Sequence, residues 1–379
     1  MYDILVIGSG FAGSVVADKL ARESGKKVLI LEKRNHIGGN CYDTMDEHGV
    51  LIHQYGPHIF HTNIEDVYQY LSKYTHWYDY SHEVVAKVNE DFIPVPFNLN
   101  TLKVAYPNKA DELEKKLVDV YGYGTRVPIL ELRQSEDKDI QSIADYVYEN
   151  IFLKYTMKQW GQKPEEIDPA VTGRVPVLIS HDNRYFQDTY QGMPLDGFTP
   201  LFEKMLDHEN IDVRLSCDAK ECLEFKEDGI YFEGELFTGQ VIYTGAIDEL
   251  FDCRFGRLPY RTLTFDFEHK DVDSYQPRAV VNYTVDEDFT RITEYKKLTG
   301  QQVEGTTIMR EYPSAYTGEL GQIPYYAIMN EQNIALYGKY VELVSKYENF
   351  KLLGRLAEYK YYNIDGIVDK AMKLAETLQ

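Results

Sequence analysis

Tryptophan is nearly absent from this 379-residue chain, with two residues, and cysteine is sparse, with four. Cys41, Cys217, Cys222 and Cys253 form no CxxC pair and have no zinc-ligand spacing, so they read as reduced thiols of a cytoplasmic protein. Cations are also short: 40 Lys plus Arg face 61 Asp plus Glu, a formal net charge of −21. That balance excludes a binder of duplex nucleic acid or of anionic membrane, since each needs a cationic footprint. With a mean hydropathy of −0.42, no apolar run approaches the roughly 18 residues of a spanning helix, so membrane insertion is not expected. The start, MYDILVIGSG, has no basic region and no small-residue cleavage site, unlike a signal peptide.

What is present is a chain 44% hydrophobic and 27% charged, enough for a sizeable core in two or three domains. Its excess is aromatic, 32 Tyr and 17 Phe. Tyrosine joins a flat apolar face to a hydroxyl, useful in half-buried packing and in gripping a polar, ring-bearing ligand.

The apolar run YDILVI (residues 2–7), the Gly-rich GSGFAG, the helical SVVADKLARES and the second apolar run KKVLILE spell a βαβ unit. From about 64 to 160 the pattern reads as helical, with Ile140, Ile143, Val147 and Ile151 on one face. Residues 161–176 carry three prolines and two glycines and read as a loop, with the character of a mobile lid. From 185 to 330, runs such as VRLSC, GIYFEG, RTLTFDF and RAVVNYT predict strands. The strand FKLLGR, with Gly354, and the helix DGIVDKAMKLAETL then return to cap a cofactor.

Gly8, Gly10 and Gly13 form G-x-G-x-x-G between strand and helix, and Glu32 ends the second strand. The first glycine permits the tight turn, the second close approach to a pyrophosphate, and the third helix-on-strand packing; the helix N-terminus attracts the anion and the acid holds a ribose. Strand, helix, spacing and acid together specify a dinucleotide site. The fingerprint at the N-terminus, followed by EKRNHIGGN, is more similar to FAD proteins of the glutathione-reductase kind than to nicotinamide dehydrogenases.

The set GSGFAG, EKRNHIGGN, QYGPHIFHT, YTMKQWG, TGRVPV, NRYFQDTYQG and GRLAEYKYYNID resembles the bacterial UDP-galactopyranose mutases over nearly the whole chain. The resemblance implies an α/β fold: an FAD-binding Rossmann-like (glutathione-reductase-like) domain with an inserted helical domain and an antiparallel β-sheet domain. The expected division is 1–78 with 195–250 and 340–379 for FAD, 79–165 for the helices, and 166–194 with 251–339 for the sheet. It further implies interconversion of UDP-galactopyranose and UDP-galactofuranose. In that reaction reduced flavin N5 attacks galactose C1 and expels UDP; the adduct opens to an iminium, and the C4 hydroxyl closes the smaller ring. The nucleophile belongs to the cofactor, so neither a Ser-His-Asp set nor a glycosidase carboxylate pair is needed.

Carried onto this chain, the resemblance makes Arg174, Arg291 and His61 catalytic, with the two arginines on the diphosphate, where a planar fork that stays charged is suited to phosphate. Tyr155 is expected on uracil; Tyr185, Tyr326 and Tyr361 give hydroxyls to phosphate; Phe152, Thr156, Trp160, Phe186 and Asn282 complete the nucleotide-sugar site. Cofactor contacts fall to Gly8, Gly10, Phe11, Gly13, Glu32, Lys33, Arg34, Gly39, Asn40, His58, His61, Arg355 and Asn363. Locally, Arg174 also reads as a solvated loop charge, Arg291 as half of a cross-strand salt bridge, and Tyr155 as an extension of the apolar helix face. His53, His58 and His61 lack the carboxylate partners of a metal site, and no metal is expected. Three positions depart from the family: Asn363 replaces a usual Asp, Ile151 a usual Phe and Lys154 a usual Gly. The implied partners are the two UDP-sugars, a reductant such as NAD(P)H or a reductase, and a second copy in a homodimer. An FAD-dependent amine or alcohol oxidoreductase on the same scaffold is the alternative.

Overall fold

The computed structural model describes residues 2–161, 163 and 176–379. Five parallel strands, in the order Ile211–Arg214, Val28–Leu31, Ile4–Ile7, Gln240–Tyr243 and Phe350–Leu352, form the first sheet. The three central runs, ILVI, VLIL and QVIY, are short, β-branched and almost wholly buried, as a sheet covered on both faces requires. These strands come from the three segments expected to bind FAD.

The helix Phe11–Ser24 follows the first strand and ends at Gly25, whose left-handed backbone (φ 63°) lets its N–H reach the Ala21 carbonyl. Asp18 in this helix is buried but fully engaged: it accepts from the Tyr70 and Tyr74 hydroxyls, both at 2.7 Å, and from Arg22 Nε at 2.6 Å. Two of the tyrosines are thereby committed to docking the helix Glu65–Leu71 and the turn after it onto the Rossmann unit. The C-terminal helix Ile364–Thr377 packs on the same helix.

A second sheet of seven strands runs Tyr326–Ala327, Tyr260–Lys270, Thr306–Ala315, Arg291–Glu294, Val280–Tyr283, Val84–Val88 and Asp91–Val95. It corrects two expectations. The stretch 64–160 is not helical throughout, because VVAKV and DFIPV lie in it and complete this sheet. The sheet is also not purely antiparallel, since Val280–Tyr283 pairs with Val84–Val88 in parallel. A short apolar run has no periodicity that separates a buried strand from a buried helical turn, and here the partner strand decided.

The helical reading holds for Lys138–Val147, which is capped by Asp137 through its side chain to the Asp139 and Ile140 amides. Ile140, Ile143, Val147 and Ile151 are all buried in the core of the helical segment. A six-residue π-helix, Tyr148–Leu153, then links this helix to Lys154–Trp160. Such wide turns shift the helical phase and are frequent beside functional sites.

Candidate active site

At the carboxyl ends of the parallel strands lies an open cleft of about 350 Å³, lined by the 8–12 turn, Glu32, Arg34, Gly38–Cys41, His58 and Arg355. Two of the three fingerprint glycines have a steric reason within the protein itself. A Cβ on Gly8 (φ 103°) would lie 2.2 Å from Thr244 Oγ1, and one on Gly13 would lie 2.0 Å from the Gly8 carbonyl oxygen. Gly10 is the N-cap of Phe11–Ser24 and offers no side chain to its first amides, which leaves that N-terminus open to an anion. The Gly38–Gly39 loop packs directly on it, a Cβ on Gly39 being 3.0 Å from Gly10 Cα.

Glu32 is 5% exposed and accepts from Ser9 N at 3.0 Å, Ser9 Oγ at 2.7 Å and Arg34 N at 2.9 Å. Only one of these reaches Oε1, so that oxygen retains a lone pair for a ribose hydroxyl. Arg34 donates from Nη2 to Asn40 Oδ1 at 2.8 Å and stacks over Tyr55, while its buried Nη1 has no partner among the described residues. An orphaned guanidinium N–H beside an open helix N-terminus suits a dinucleotide pyrophosphate, so the residues present fit FAD.

Other cofactor candidates sit differently. Phe11 lines the cleft, and its ring packs against Phe198 and Phe202. Lys33 is mostly exposed, 3.9 Å from Glu249. Asn363 is the exposed N-cap of Ile364–Thr377 and lines the cleft. His58 also lines it; its N–H donates to His53 Nδ1 at 3.0 Å, so that nitrogen carries no proton. Burial pushes the His53, His58 and His82 imidazoles down to about 3, so all three are neutral. Among the described residues no group of three His, Cys, Asp or Glu side chains is placed to hold a metal.

A second cluster adjoins the cleft. Arg291 stands in register opposite Glu311 on one side and Asn282 on the other. Its Nη2 and Nε lie 2.6 and 2.9 Å from Glu311 Oε2, and Glu311 is fully buried. The cross-strand salt bridge weighed above is therefore present, together with the site-like surroundings. Burial opposes the Arg291 charge, and Glu311, with Tyr155 and Tyr326 nearby, more than offsets it. Tyr155 senses Arg291, Glu311, Tyr185 and Tyr326 in turn, and burial raises its hydroxyl well beyond the ordinary value. Burial, then Glu311, pushes Tyr326 up to about 12. These phenols remain neutral hydrogen-bond donors at working pH.

Two stacks tie this cluster to its neighbours. Tyr326 and Tyr361 stack at 6.2 Å and 9°, and the Arg355 guanidinium lies 4.5 Å above Tyr361, so the tyrosines reach the cofactor cleft. His61 lies face to face with Phe186 at 3.6 Å, and its Nδ1 is 3.0 Å from Asp188 Oδ2. Phe186 also contacts Tyr185 and His82. Trp160 meets Tyr326 at 5.5 Å.

The remaining candidates are partly drawn into the core. Phe152 and Ile151, each 5% exposed, belong to the helical core, and Thr156 is buried. Lys154 points outward, 3.8 Å from Asp286. Arg174 and most of 161–176 lie outside the described residues. Sequence reasoning missed Glu311 and Asp188, which hold Arg291 and His61. For Glu311 a signal existed: a carboxylate inside the strand run TTIMREY, at a position that must be buried.

The parallel sheet, the glycine turn and the acid at its second strand define a dinucleotide-binding α/β protein. Residues 6–74 match the family model of an NAD(P)-binding Rossmann-like domain, and residues 150–361 match that of UDP-galactopyranose mutase. The chain is 35% identical to the UDP-galactopyranose mutase of Mycoplasma pneumoniae, covering all of this chain and 96% of that one. It is 37% identical to a probable UDP-galactopyranose mutase of Klebsiella pneumoniae (99% and 94%) and 36% identical to the dTDP-fucopyranose mutase of Escherichia coli (99% and 98%). The crystal structure of reduced UDP-galactopyranose mutase superposes with a TM-score of 0.70 at 14% identity, covering 99% of this chain and 95% of that one. This chain belongs to the UDP-galactopyranose mutase family and is an isomerase.

Proposed function

We propose that this protein interconverts UDP-galactopyranose and UDP-galactofuranose with FAD in its reduced form. The observation that carries the reading is the continuity of the Arg291–Tyr155–Tyr185–Tyr326 cluster with the dinucleotide cleft through Tyr361 and Arg355. A cation, neutral phenol donors and flat rings are the chemistry that a pyrimidine diphosphate sugar needs. Bound and reduced, the flavin would supply a nucleophilic N5 for galactose C1.

The chain's own residues bind and orient. Gly8, Gly10, Gly13, Gly39 and the open helix N-terminus accommodate the pyrophosphate, with Arg34 and Asn40 beside it and Glu32 on the ribose. Arg291 and Arg174 hold the substrate diphosphate and stabilise the UDP that departs. Tyr155 stacks on uracil, Tyr185, Tyr326 and Tyr361 donate to phosphate, and Trp160, Phe186 and Asn282 enclose the sugar and uridine. Asp188 fixes the His61 ring through Nδ1, leaving Nε2 as the nitrogen available to substrate or cofactor. Glu311, the acid in this cluster, is tied to Arg291, which suits a reaction whose nucleophile is on the cofactor. The wider proposal is a cytoplasmic homodimer of three units, reduced by NAD(P)H or a reductase, whose product feeds cell-wall polysaccharide synthesis.

The Escherichia coli relative supports a second reading, in which dTDP-fucopyranose is the substrate. One assay addresses both. Purified protein is incubated with UDP-galactofuranose or dTDP-fucofuranose, with and without dithionite, and the products are chromatographed. Pyranose formed from the UDP-sugar, only under reduction, supports the first reading; conversion of the dTDP-sugar alone moves the assignment to the second.

A further inference from the structure

Arg261 is a buried cation, 9% exposed, and no carboxylate lies within ion-pair distance of it among the described residues. Its partners are backbone carbonyls: Nε donates to Gln159 O at 2.9 Å and Nη2 to Lys158 O at 3.0 Å. These belong to the last turn of Lys154–Trp160, whose carbonyls have no helical partners and carry the negative end of the helix dipole. The compensation for the buried charge is therefore a helix terminus. Gly161, the left-handed C-cap of that helix (φ 69°), leaves room for the guanidinium, since a Cβ there would lie 3.1 Å from Nη1.

The same residue sits in a strand. Arg261 pairs in register with Tyr326, and its carbonyl accepts from Tyr325 N at 2.9 Å. One side chain and its own backbone thus grip the two elements that carry Trp160 and Tyr326, rings that meet at 5.5 Å. The helix needs such a fixture. It is reached through the π-helix Tyr148–Leu153, a wide turn that interrupts the α-helical hydrogen-bond ladder, so a contact at the helix's C-terminal end helps to fix its direction.

We propose that Arg261 is a positioning residue of the nucleotide-sugar site, clamping the last turn of Lys154–Trp160 to the edge strand so that Trp160 and Tyr326 form one face. The proposal rests on the site reading above, and its test has a readout independent of turnover. Trp77 and Trp160 are the two tryptophans, so Trp77→Phe, which keeps an aromatic on Phe60, leaves Trp160 as the sole indole reporter. In that background Arg261→Gln retains at most one of the two carbonyl contacts. We expect Trp160 emission to shift to the red, the Kd for UDP to rise about tenfold, equivalent to the loss of a single net hydrogen bond, and KM to rise while kcat stays within threefold. Arg261→Lys should restore part of the affinity. Gly161→Ala, which crowds the guanidinium, should act in the same direction, and the Arg261→Lys/Gly161→Ala pair should be less than additive because both act on one contact; this pair carries the test if Arg261→Gln does not fold. Unchanged Trp160 emission and UDP affinity in folded Arg261 variants, or strict additivity of the pair, would overturn the assignment. An altered Trp160 signal in a protein that isomerises no nucleotide sugar would leave the clamp standing and remove the mutase reading instead.

Discussion

Arg291 and Glu311 face each other across an antiparallel strand pair, with Nη2 2.6 Å from Oε2, and Glu311 is fully buried while the Arg291 side chain keeps 22% of its surface. The acid is the anchor and the arginine its exposed working end. Most of the guanidinium's placement is therefore fixed by strand register, before any ligand arrives.

Removing Arg291 strands a buried carboxylate, and breaking one partner of a buried pair costs about 3–5 kcal/mol. Arg291→Ala should abolish turnover and lower the urea midpoint while flavin absorbance is retained, since Arg291 is outside the cofactor cleft. Arg291→Ala/Glu311→Gln should recover much of the stability but none of the activity. A double variant no more stable than Arg291→Ala would show that Glu311 is not held as described. Arg174→Ala should likewise abolish turnover with flavin retained.

Gly13→Ala places a methyl 2.0 Å from the Gly8 carbonyl oxygen, so the helix must move off the strand. The purified variant should carry less than about a tenth of the wild-type flavin, in line with the loss of close helix–strand packing that this position serves. The visible-to-ultraviolet absorbance ratio measures it, and full flavin content would contradict the assigned geometry.

His53 and His82 are buried and neutral, with imidazoles pushed down to about 3. A folded-state value below that of the unfolded chain means the unfolded state binds protons first. Stability is therefore complete above about pH 6.5 and is lost as pH falls from there toward 3. His58, pushed down equally, adds a third such group, so between pH 7.5 and 5.5 the three should cost about 4 kcal/mol together, at about 1.4 kcal/mol each. Urea midpoints at the two pH values check this, and His82→Asn should remove about a third of the slope. Asp43 and Asp248, whose carboxyls burial raises, act in the opposite sense where they take up protons.

Asn363 occupies the N-cap position of the helix Ile364–Thr377 at the cofactor cleft, with its side chain making no capping bond. Asn363→Asp adds a negative charge beside a cofactor that gains negative charge on reduction. The flavin midpoint potential should fall by about 20–40 mV, or about 1–2 kcal/mol for a two-electron couple. A potential that is unchanged or higher would separate this residue from the flavin.

The parts of the structure legible in the sequence were those in which one residue has one local reason. Gly8, Gly13 and Glu32 were readable because their roles lie within one βαβ unit. The strand at 84–88 was not, because a five-residue apolar run takes its identity from a partner about 196 residues away at Val280–Tyr283, and the edge strand at 91–95 only follows from it as a hairpin. Glu311 depended on register between strands and Arg261 on a helix end meeting a sheet edge, neither of which has a sequence period. Ile151 and Phe152 lie next to Tyr155 in the chain, yet the π-turn sends them into the core. The tyrosine excess likewise divides: Tyr70 and Tyr74 serve Asp18, whereas Tyr155 and Tyr326 lie near Arg291, with Tyr185 near Tyr155 and Tyr361 stacked on Tyr326.

A covalent bond between the reduced cofactor and the sugar is the central proposal, and an attempt to trap it is the direct test. The protein, reduced anaerobically and mixed with UDP-galactose, is treated with cyanoborohydride, and the released flavin is weighed by mass spectrometry. The account predicts a flavin heavier by one hexose unit from reduced protein and none from oxidised protein. Full turnover with only unmodified flavin, or isomer formed equally fast by the oxidised protein, would contradict it.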